Sequence, residues 1–343
     1  MKIKCVIWDL DNTMWEGILG ENNNVTLKPR ITEVLKYLNS KGIIQSIASK
    51  NYESSAINKL KEFNIEQYFV VPQISYSPKN ILIRKILEFI NIDEEFVAYV
   101  DDEEFEINEI KRYFPNINVY KAEKYMDFLT DVKFQTDLIT EDSKKRTEYL
   151  KTKEKRVKAE KDFIGLKERF MQDAKTQIII HKFSKKNSGR VFELIERTNK
   201  YNNIDKGIIN ENYILKYVKE ESGNIIVIEM NDKYGEYGTI GTMLFKIIDK
   251  KMFIDAFGIS CRVLGRGIPI SIFSGIINKL FEEKKITEVI CKIKYTKKNR
   301  ESIILLNLLE FKLNKLENDI FEFSLNNKVK KTNKEFIDVI FEE

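Results

Sequence analysis

A single histidine, His181, and three cysteines, Cys5, Cys261 and Cys291, in 343 residues narrow the available chemistry sharply. One imidazole cannot build a His-rich metal site, and any Ser-His or Cys-His pair would have to use that one ring. Three cysteines without regular spacing form no disulfide framework, which fits a reducing cytosol, so a special thiol here reads as a nucleophile. Glycine (14) and proline (5) are too scarce for a collagen-like or broadly disordered chain. Long apolar runs are lacking as well. The N-terminus runs from Met1 through Cys5 and Trp8 directly into polar residues, and the longest apolar stretch, around Ile268 to Ile277, is interrupted and too short to span a bilayer. The expectation is a cytoplasmic protein without a membrane partner. Lys and Arg number 58 against 53 Asp and Glu, a net charge of +5, too small an excess to indicate nucleic acid.

What remains is a soluble globular chain, 43% hydrophobic and 32% charged, long enough for two domains. Residues 3 to 8 predict a buried strand, and Ile31, Val34, Leu35 and Leu38 fall at helical spacing. The alternation continues with strands at Gly42 to Ala48, Tyr68 to Val71 and Phe96 to Val100, and helices at Ala56 to Phe63 and Ile81 to Ile90. Strands alternating with helices predict a parallel sheet, covered on both faces, with its ligand crevice at the strands' C-terminal ends. From Ser143 to Phe170 a Lys/Glu/Arg-dense run predicts a connecting helix, either solvated or a docking face for an acidic partner. Beyond it come strands at Ile178 to Ile180, Ile225 to Ile228, Ile240 to Ile248, Met252 to Ile259, Val289 to Ile293 and Ile320 to Leu325. Helices at Val191 to Ile195, Ile268 to Phe281 and Asn299 to Leu309 complete an α+β second domain. The expected division is a first domain over 1–142, a helical linker over 143–173 and a second domain over 174–343.

Asp9 and Asp11 lie two apart at the end of the first strand, with Thr13 on the exit turn. Ser49 ends the second strand, Lys79 opens a helix after Ser-Pro, and Asp101 with Asp102 ends the strand at Phe96 to Val100. Carboxylates gathered on one sheet edge repel unless a cation holds them, and hard oxygen ligands suit Mg²⁺. Asp9, Asp11, Asp101 and Asp102 are the candidate metal residues. One carboxylate can then attack phosphorus while Ser49 and Lys79 bind phosphoryl oxygens, and Asp11 is placed to act as acid and base. The same groups occur in phospho-accepting receiver domains, but there the acidic pair comes first and the Lys last. The order here resembles the haloacid dehalogenase (HAD) phosphatase superfamily, with all four of its motifs in sequence. By that resemblance Asp9 is the nucleophile, Asp11 the acid/base, Thr13, Ser49 and Lys79 phosphate ligands, and the fold a HAD-like Rossmannoid sheet. Between Asp9 and Ser49 there is room only for a short flap from Trp15 to Lys28, a minimal cap, which suits a bulky substrate or closure by another domain.

The segment Ser260-Cys261-Arg262-Val263-Leu264-Gly265-Arg266-Gly267 follows a strand and opens a helix, so its N–H groups can form an anion cradle. Arg262, Gly265 and Gly267 resemble the pantetheine-gripping loop of GNAT acetyltransferases, with Arg266 inside it. Cys261, at the strand end, reads either as an acyl-exchanging thiol or as a small buried residue. Cys5 and Cys291 sit in apolar strand patterns and read as packing.

The whole chain resembles the FkbH-like family, which joins a HAD phosphatase domain to a GNAT-like domain. The strings that carry this are Asp-Asn-Thr-Met-Trp-Glu-Gly at 11 to 17, Ser49-Lys50-Asn51, Asp101-Asp102 with Glu106, Arg197-Thr198-Asn199, Tyr234 to Gly238, Ser260 to Gly267, and Thr296 with Lys298-Asn299. The resemblance implies a bifunctional glyceryltransferase and phosphatase. It would take a glyceryl unit from 1,3-bisphosphoglycerate, lose phosphate at a Mg²⁺ site, and pass glyceryl through a Cys261 thioester to the phosphopantetheine arm of an acyl carrier protein. Departures are Glu103-Glu104 where the family tends to Asn-Pro, Tyr201 in place of a common Phe, and Leu309-Glu310-Phe311 without the usual Gly. Asn199 and Asn299 read either as positioning an acyl or pantetheine arm or as capping and turn residues. His181 reads as a strand residue near the surface. Rival functions are a Mg²⁺ phosphatase with a non-catalytic carrier-binding domain, an adaptor with an idle Asp9 site, and an acyltransferase using ordinary acyl-CoA.

Overall fold

The computed structural model describes residues 2–21, 25–136, 139–204, 207, 209–264, 266–330 and 336–342. The chain forms two compact units, Met1–Glu154 and Lys155–Glu343.

The first unit opens with β1 (Cys5–Trp8), followed by a two-stranded ribbon of β2 (Trp15–Glu16) and β3 (Thr26–Leu27). Then come α1 (Ile31–Ser40), β4 (Ile44–Ser49), α2 (Glu53–Glu62), β5 (Gln73–Ile74), α3 (Lys79–Ile90), β6 (Val97–Asp101), α4 (Glu104–Tyr113) and β7 (Asn118–Lys121). The strands pair in parallel in the order β5-β4-β1-β6-β7. Period-two alternation sends Val6 and Trp8 to one core and Cys5 and Ile7 to the other, so β1 is buried on both faces. Leu35 and Leu38 of α1 cover the first face, and Ile83, Ile86 and Ile110 of α3 and α4 cover the second. Tyr68 to Val71 does not form the expected strand. Val71 takes a left-handed φ of 43° and Pro72 follows, so the ladder reduces to a bridge at Phe69 and resumes at Gln73.

The charged run after the first sheet folds as α5 (Glu141–Lys144), α6 (Arg146–Asp162) and α7 (Lys167–Asp173). It is not solvated all round: Tyr149 and Leu150 are buried, and Leu150 joins the first unit's second core.

The second unit continues with β8 (Thr176–Lys182), α8 (Ser188–Arg197), α9 (Glu211–Tyr217), β9 (Gly223–Asp232), β10 (Gly235–Ile248) and β11 (Lys251–Ile259). After the loop come α10 (Ile268–Glu282), β12 (Glu288–Lys294), α11 (Arg300–Leu308), β13 (Lys312–Glu317), β14 (Ile320–Leu325) and β15 (Ile337–Phe341). One mixed sheet runs β13-β14-β12-β11-β10-β9-β8-β15. Ile272, Phe273 and Ile276 of α10 pack on one face, and Val191, Ile195 and Ile214 of α8 and α9 on the other. At Gly258 a Cβ would lie 3.0 Å from the carbonyl oxygen of Leu194, so glycine lets α8 approach β11 backbone to backbone.

β11 and β12 are parallel neighbours and pair only from Lys251 opposite Glu288 to Ile254 opposite Cys291. Beyond that, the chain's own residues 201–203 serve both strand edges. The Ile259 N–H donates to Tyr201 O (3.1 Å) and the Lys294 N–H to Asn203 O (2.9 Å). The Asn203 side chain accepts from the Phe257 N–H (2.8 Å) and donates to Asp255 O and Lys292 O (both 3.1 Å). Asn203 is buried, so Asn203→Ala takes these partners from the buried Phe257 N–H and from the part-buried carbonyls of Asp255 and Lys292. A buried orphan costs roughly 1–3 kcal/mol, and the variant should lose about that much, read as a lower denaturant midpoint by circular dichroism. An unchanged midpoint would mean that these bonds add nothing to stability.

Candidate active site

The C-terminal ends of β1, β4 and β6 bring Asp9, Ser49 and Asp101 to one edge of the first sheet, and the N-terminus of α3 adds Lys79. All four are buried. Lys79 Nζ lies 2.9 Å from Asp9 Oδ1 and 2.6 Å from Asp101 Oδ2. Asp101 is fixed from two further sides, by the Tyr99 hydroxyl and by the Glu103 N–H at 2.9 Å. Burial pushes the Asp9 carboxyl up to about 7, against the pull of Lys79 and with Asp101 adding repulsion. Asp102, half out of the protein, is also raised, first by burial and then by Asp101.

Oxygen atoms of Asp9, Asp101 and Asp102 all lie within 4.8 Å of one another. Three carboxylates converge there around one ammonium group, and the Asp9 shift registers chiefly the cost of burying its charge. An all-oxygen donor set of this kind fits a hard divalent cation. Asp11, expected among the metal residues, is corrected out of that group. Its Oδ1 accepts from the Trp15 indole (2.8 Å) and the Leu19 N–H (3.0 Å), and its Oδ2 from Asn51 (2.8 Å). The flap thus folds back onto Asp11 and holds it. Thr13, expected to bind phosphate, is fully buried and donates to Asp102 Oδ1 at 3.2 Å, so it orients a carboxylate instead. Ser49 lies beside Asp9 and accepts from Asn51 at 3.4 Å.

Sequence reasoning assigned no role to Asn51, Tyr99 or the pair of Lys50 with buried Glu106. Asn51 joins Asp11 to Ser49, and its place two residues after Ser49 was the available signal. Tyr99 had none, because a strand tyrosine reads as packing. Around the crevice, Tyr52 (68% exposed), Tyr76 (63%) and Phe105 (73%) each stand within four residues of a site residue. The Tyr52 and Tyr76 rings meet edge to face at 5.2 Å.

In the second unit, β11 ends at Ile259, and Cys261 to Val263 form a short 3₁₀ turn capped by Ser260. Cys261 is half-buried and makes no disulfide. Cys5 and Cys291 are buried in strands, where desolvation pushes both thiols far up. The two loop arginines, expected on pantetheine, are turned inward. Arg262 donates to Thr239 O (2.9 Å) and Ser260 Oγ (3.1 Å). Arg266 donates to Arg262 O (3.3 Å) and Asp232 (3.4 Å) and covers the Tyr237 ring. They brace the loop, because buried guanidinium groups must satisfy their donors internally. Gly267 caps α10 with a left-handed φ of 71°, a conformation suited to glycine, with Pro269 in the first turn. Gly265 lies outside the described residues.

On α8, Glu193 bridges Arg190 (2.8 Å) and Arg197 (3.1 Å), and Arg190 shares the Thr239 carbonyl with Arg262. Burial lowers the Arg197 pKa, while Glu193 and the Cys261 thiol act to raise it. An arginine therefore stands within electrostatic reach of the thiol. Asn299, expected on an acyl arm, is fully buried. It donates to Lys294 O (2.9 Å) and Asn202, and accepts from the Thr296 N–H (2.8 Å), so it closes a turn. Asn199 lies in a bend after α8, and His181 sits on β8 near Glu342 and Glu229.

Residues 8–113 match the family model of haloacid dehalogenase-like hydrolases. With the Asp9 constellation at its sheet edge, the first unit is a hydrolase domain of that class. No curated protein matches the chain. Similar solved structures include the N-terminal part of a Bacteroides fragilis protein containing a phosphatase domain complexed with Mg (27% identity, 39% of this chain and 41% of that one, TM-score 0.35). This chain thus covers under half of that structure's length. Others are the ribosomal-protein-S18-alanine N-acetyltransferase of Escherichia coli (9%, 46% and 97%, TM-score 0.35) and the PaiA N-acetyltransferase of Thermoplasma acidophilum with coenzyme A (16%, 44% and 99%, TM-score 0.33). No helix among the described residues is long and apolar enough to cross a membrane.

Proposed function

We propose that the chain is a bifunctional glyceryltransferase and phosphatase that takes a glyceryl unit from 1,3-bisphosphoglycerate and loads it onto the phosphopantetheine arm of an acyl carrier protein. The observation that carries this reading is the presence in one chain of a buried phosphoryl-transfer cluster and a half-buried cysteine at a strand-to-helix loop. The FkbH-like resemblance supplies the glyceryl unit and the carrier.

The Cys261 thiolate attacks the acyl phosphate carbonyl, the bond from carbonyl carbon to phosphate oxygen breaks, and phosphate departs with the electron pair. For the remaining phosphate ester, Asp9 attacks phosphorus and Asp11 protonates the departing alkoxide oxygen. Asp11 then takes a proton from the water that cleaves the aspartyl phosphate. Ser49 and Lys79 hold the phosphoryl oxygens. Asp9, Asp101 and Asp102 would hold Mg²⁺, which would supply positive charge against the phosphate and carboxylates. The carrier's thiol finally displaces Cys261 by thioester exchange, with the N-terminus of α10 facing the arm's phosphate. A short two-stranded ribbon as flap and exposed aromatic side chains close in sequence to the site residues suit a substrate borne on a larger molecule.

The test mixes the full chain with Mg²⁺, regenerated donor and holo acyl carrier protein and weighs the carrier. A glyceryl adduct without phosphate is expected. EDTA should cut ester-phosphate release at least about a hundredfold, reversibly on adding Mg²⁺. A carrier that stays unmodified, or phosphate release undiminished in EDTA, would contradict the reading.

A further inference from the structure

Two parallel strands that diverge leave a slot edged by main-chain N–H and C=O groups, and such a slot recognises an extended amide-bearing chain. The phosphopantetheine arm of coenzyme A, with two amides in an extended chain, has that chemistry. In this unit the slot between β11 and β12 is filled from within. Tyr201 and Asn203 serve the edge groups of both strands, and Asn202 makes an antiparallel bridge to Gly258. The filler is held from behind. Ser302 Oγ donates to Asn202 O (2.7 Å) and Lys200 O (3.1 Å), and Asn299 donates to Asn202; both Ser302 and Asn299 are fully buried. The strand edge it occupies reaches Ile259, two residues before Cys261.

We infer that residues 201–203 are a permanent internal substitute for a pantetheine arm, which closes this slot to coenzyme A thioesters and to the carrier's arm alike, so that the acyl donor and the carrier's thiol both reach Cys261 from outside the slot with the filler in place. Permanence follows from the number of partners. An entering arm would have to replace the filler at three N–H donors and two carbonyls of β11 and β12, and the vacated Ser302 and Asn299 would lose acceptors in a fully buried place. Asn203 is therefore a specificity-determining residue, since its amide alone meets three of those edge groups. What the exclusion accomplishes rests on reading Cys261 as the acyl-carrying group: coenzyme A thioesters lose their seat in this slot, and a carrier must hold its arm to the thiol by contacts elsewhere.

The test is hydrogen–deuterium exchange on the full chain, alone and with millimolar coenzyme A or acetyl-CoA, with binding followed in parallel by calorimetry. The amides of Phe257, Ile259 and Lys294 should exchange slowly in the protein alone, and neither probe should bind or change them. Fast exchange at those amides without a probe, or coenzyme A binding that alters exchange at 201–203, would overturn the inference. The same samples treated with 1,3-bisphosphoglycerate keep the two readings apart. An unmodified Cys261 beside unchanged protection sinks the proposed function and leaves the filled slot standing, whereas a glyceryl adduct beside a displaced filler does the reverse.

Discussion

Asp9→Asn should reduce Mg²⁺-dependent phosphate release by on the order of a thousandfold or more, because an amide cannot attack phosphorus as a carboxylate does. The substitution also removes one of the three carboxylates of the acidic cluster, so Mg²⁺ affinity should fall with it. Lys79 keeps its bond to Asp101 at 2.6 Å, so the fold of the first unit should survive. Circular dichroism separates loss of chemistry from loss of structure. Retained release with an intact fold would show that Asp9 is not the nucleophile and would leave the first unit as a binding platform.

Cys261→Ala should abolish acyl transfer to the carrier while leaving hydrolysis of a simple phosphate ester within about twofold of wild type, since the thiol takes no part in attack on phosphorus. The expected loss is at least about a thousandfold in transfer, the range seen when a nucleophile is removed outright. A chain whose second unit only recruits the carrier would transfer normally without the thiol. A chain that hydrolyses phosphate esters a hundredfold more slowly without it would couple Cys261 to the first site in a way the account does not contain.

The first site was readable because its residues stand at strand ends, and strand ends are marked by the change from apolar runs to short polar motifs. Asp9, Ser49, Lys79 and Asp101 come together as their positions imply. The direction in which Asp11 and Thr13 point was not readable, because it depends on which neighbours need a partner: Trp15 and Asn51 take Asp11, and Asp102 takes Thr13. In the second unit the loop of Cys261 was readable from its glycines, yet Arg262 and Arg266 face inward to Thr239 and Asp232. A sequence pattern marks a cation but does not say which acceptor is nearest. Asn203 carried no signal at all, since a run such as Asn199 to Asn203 reads as a turn, and only the divergence of β11 and β12 gives it something to bridge. Strand β13 escaped notice because all six of its residues are exposed and no apolar alternation marks it.

The central claim is that an acyl group passes through Cys261 after activation as an acyl phosphate. Its most direct test is intact-protein mass spectrometry of the full chain mixed with Mg²⁺ and enzymatically regenerated 1,3-bisphosphoglycerate, with Cys261→Ala and Asp9→Asn alongside. The account predicts a glyceryl adduct without phosphate on wild type, none on Cys261→Ala, and a phosphoglyceryl adduct on Asp9→Asn. An unmodified wild-type chain, while the donor is shown to persist, would contradict it.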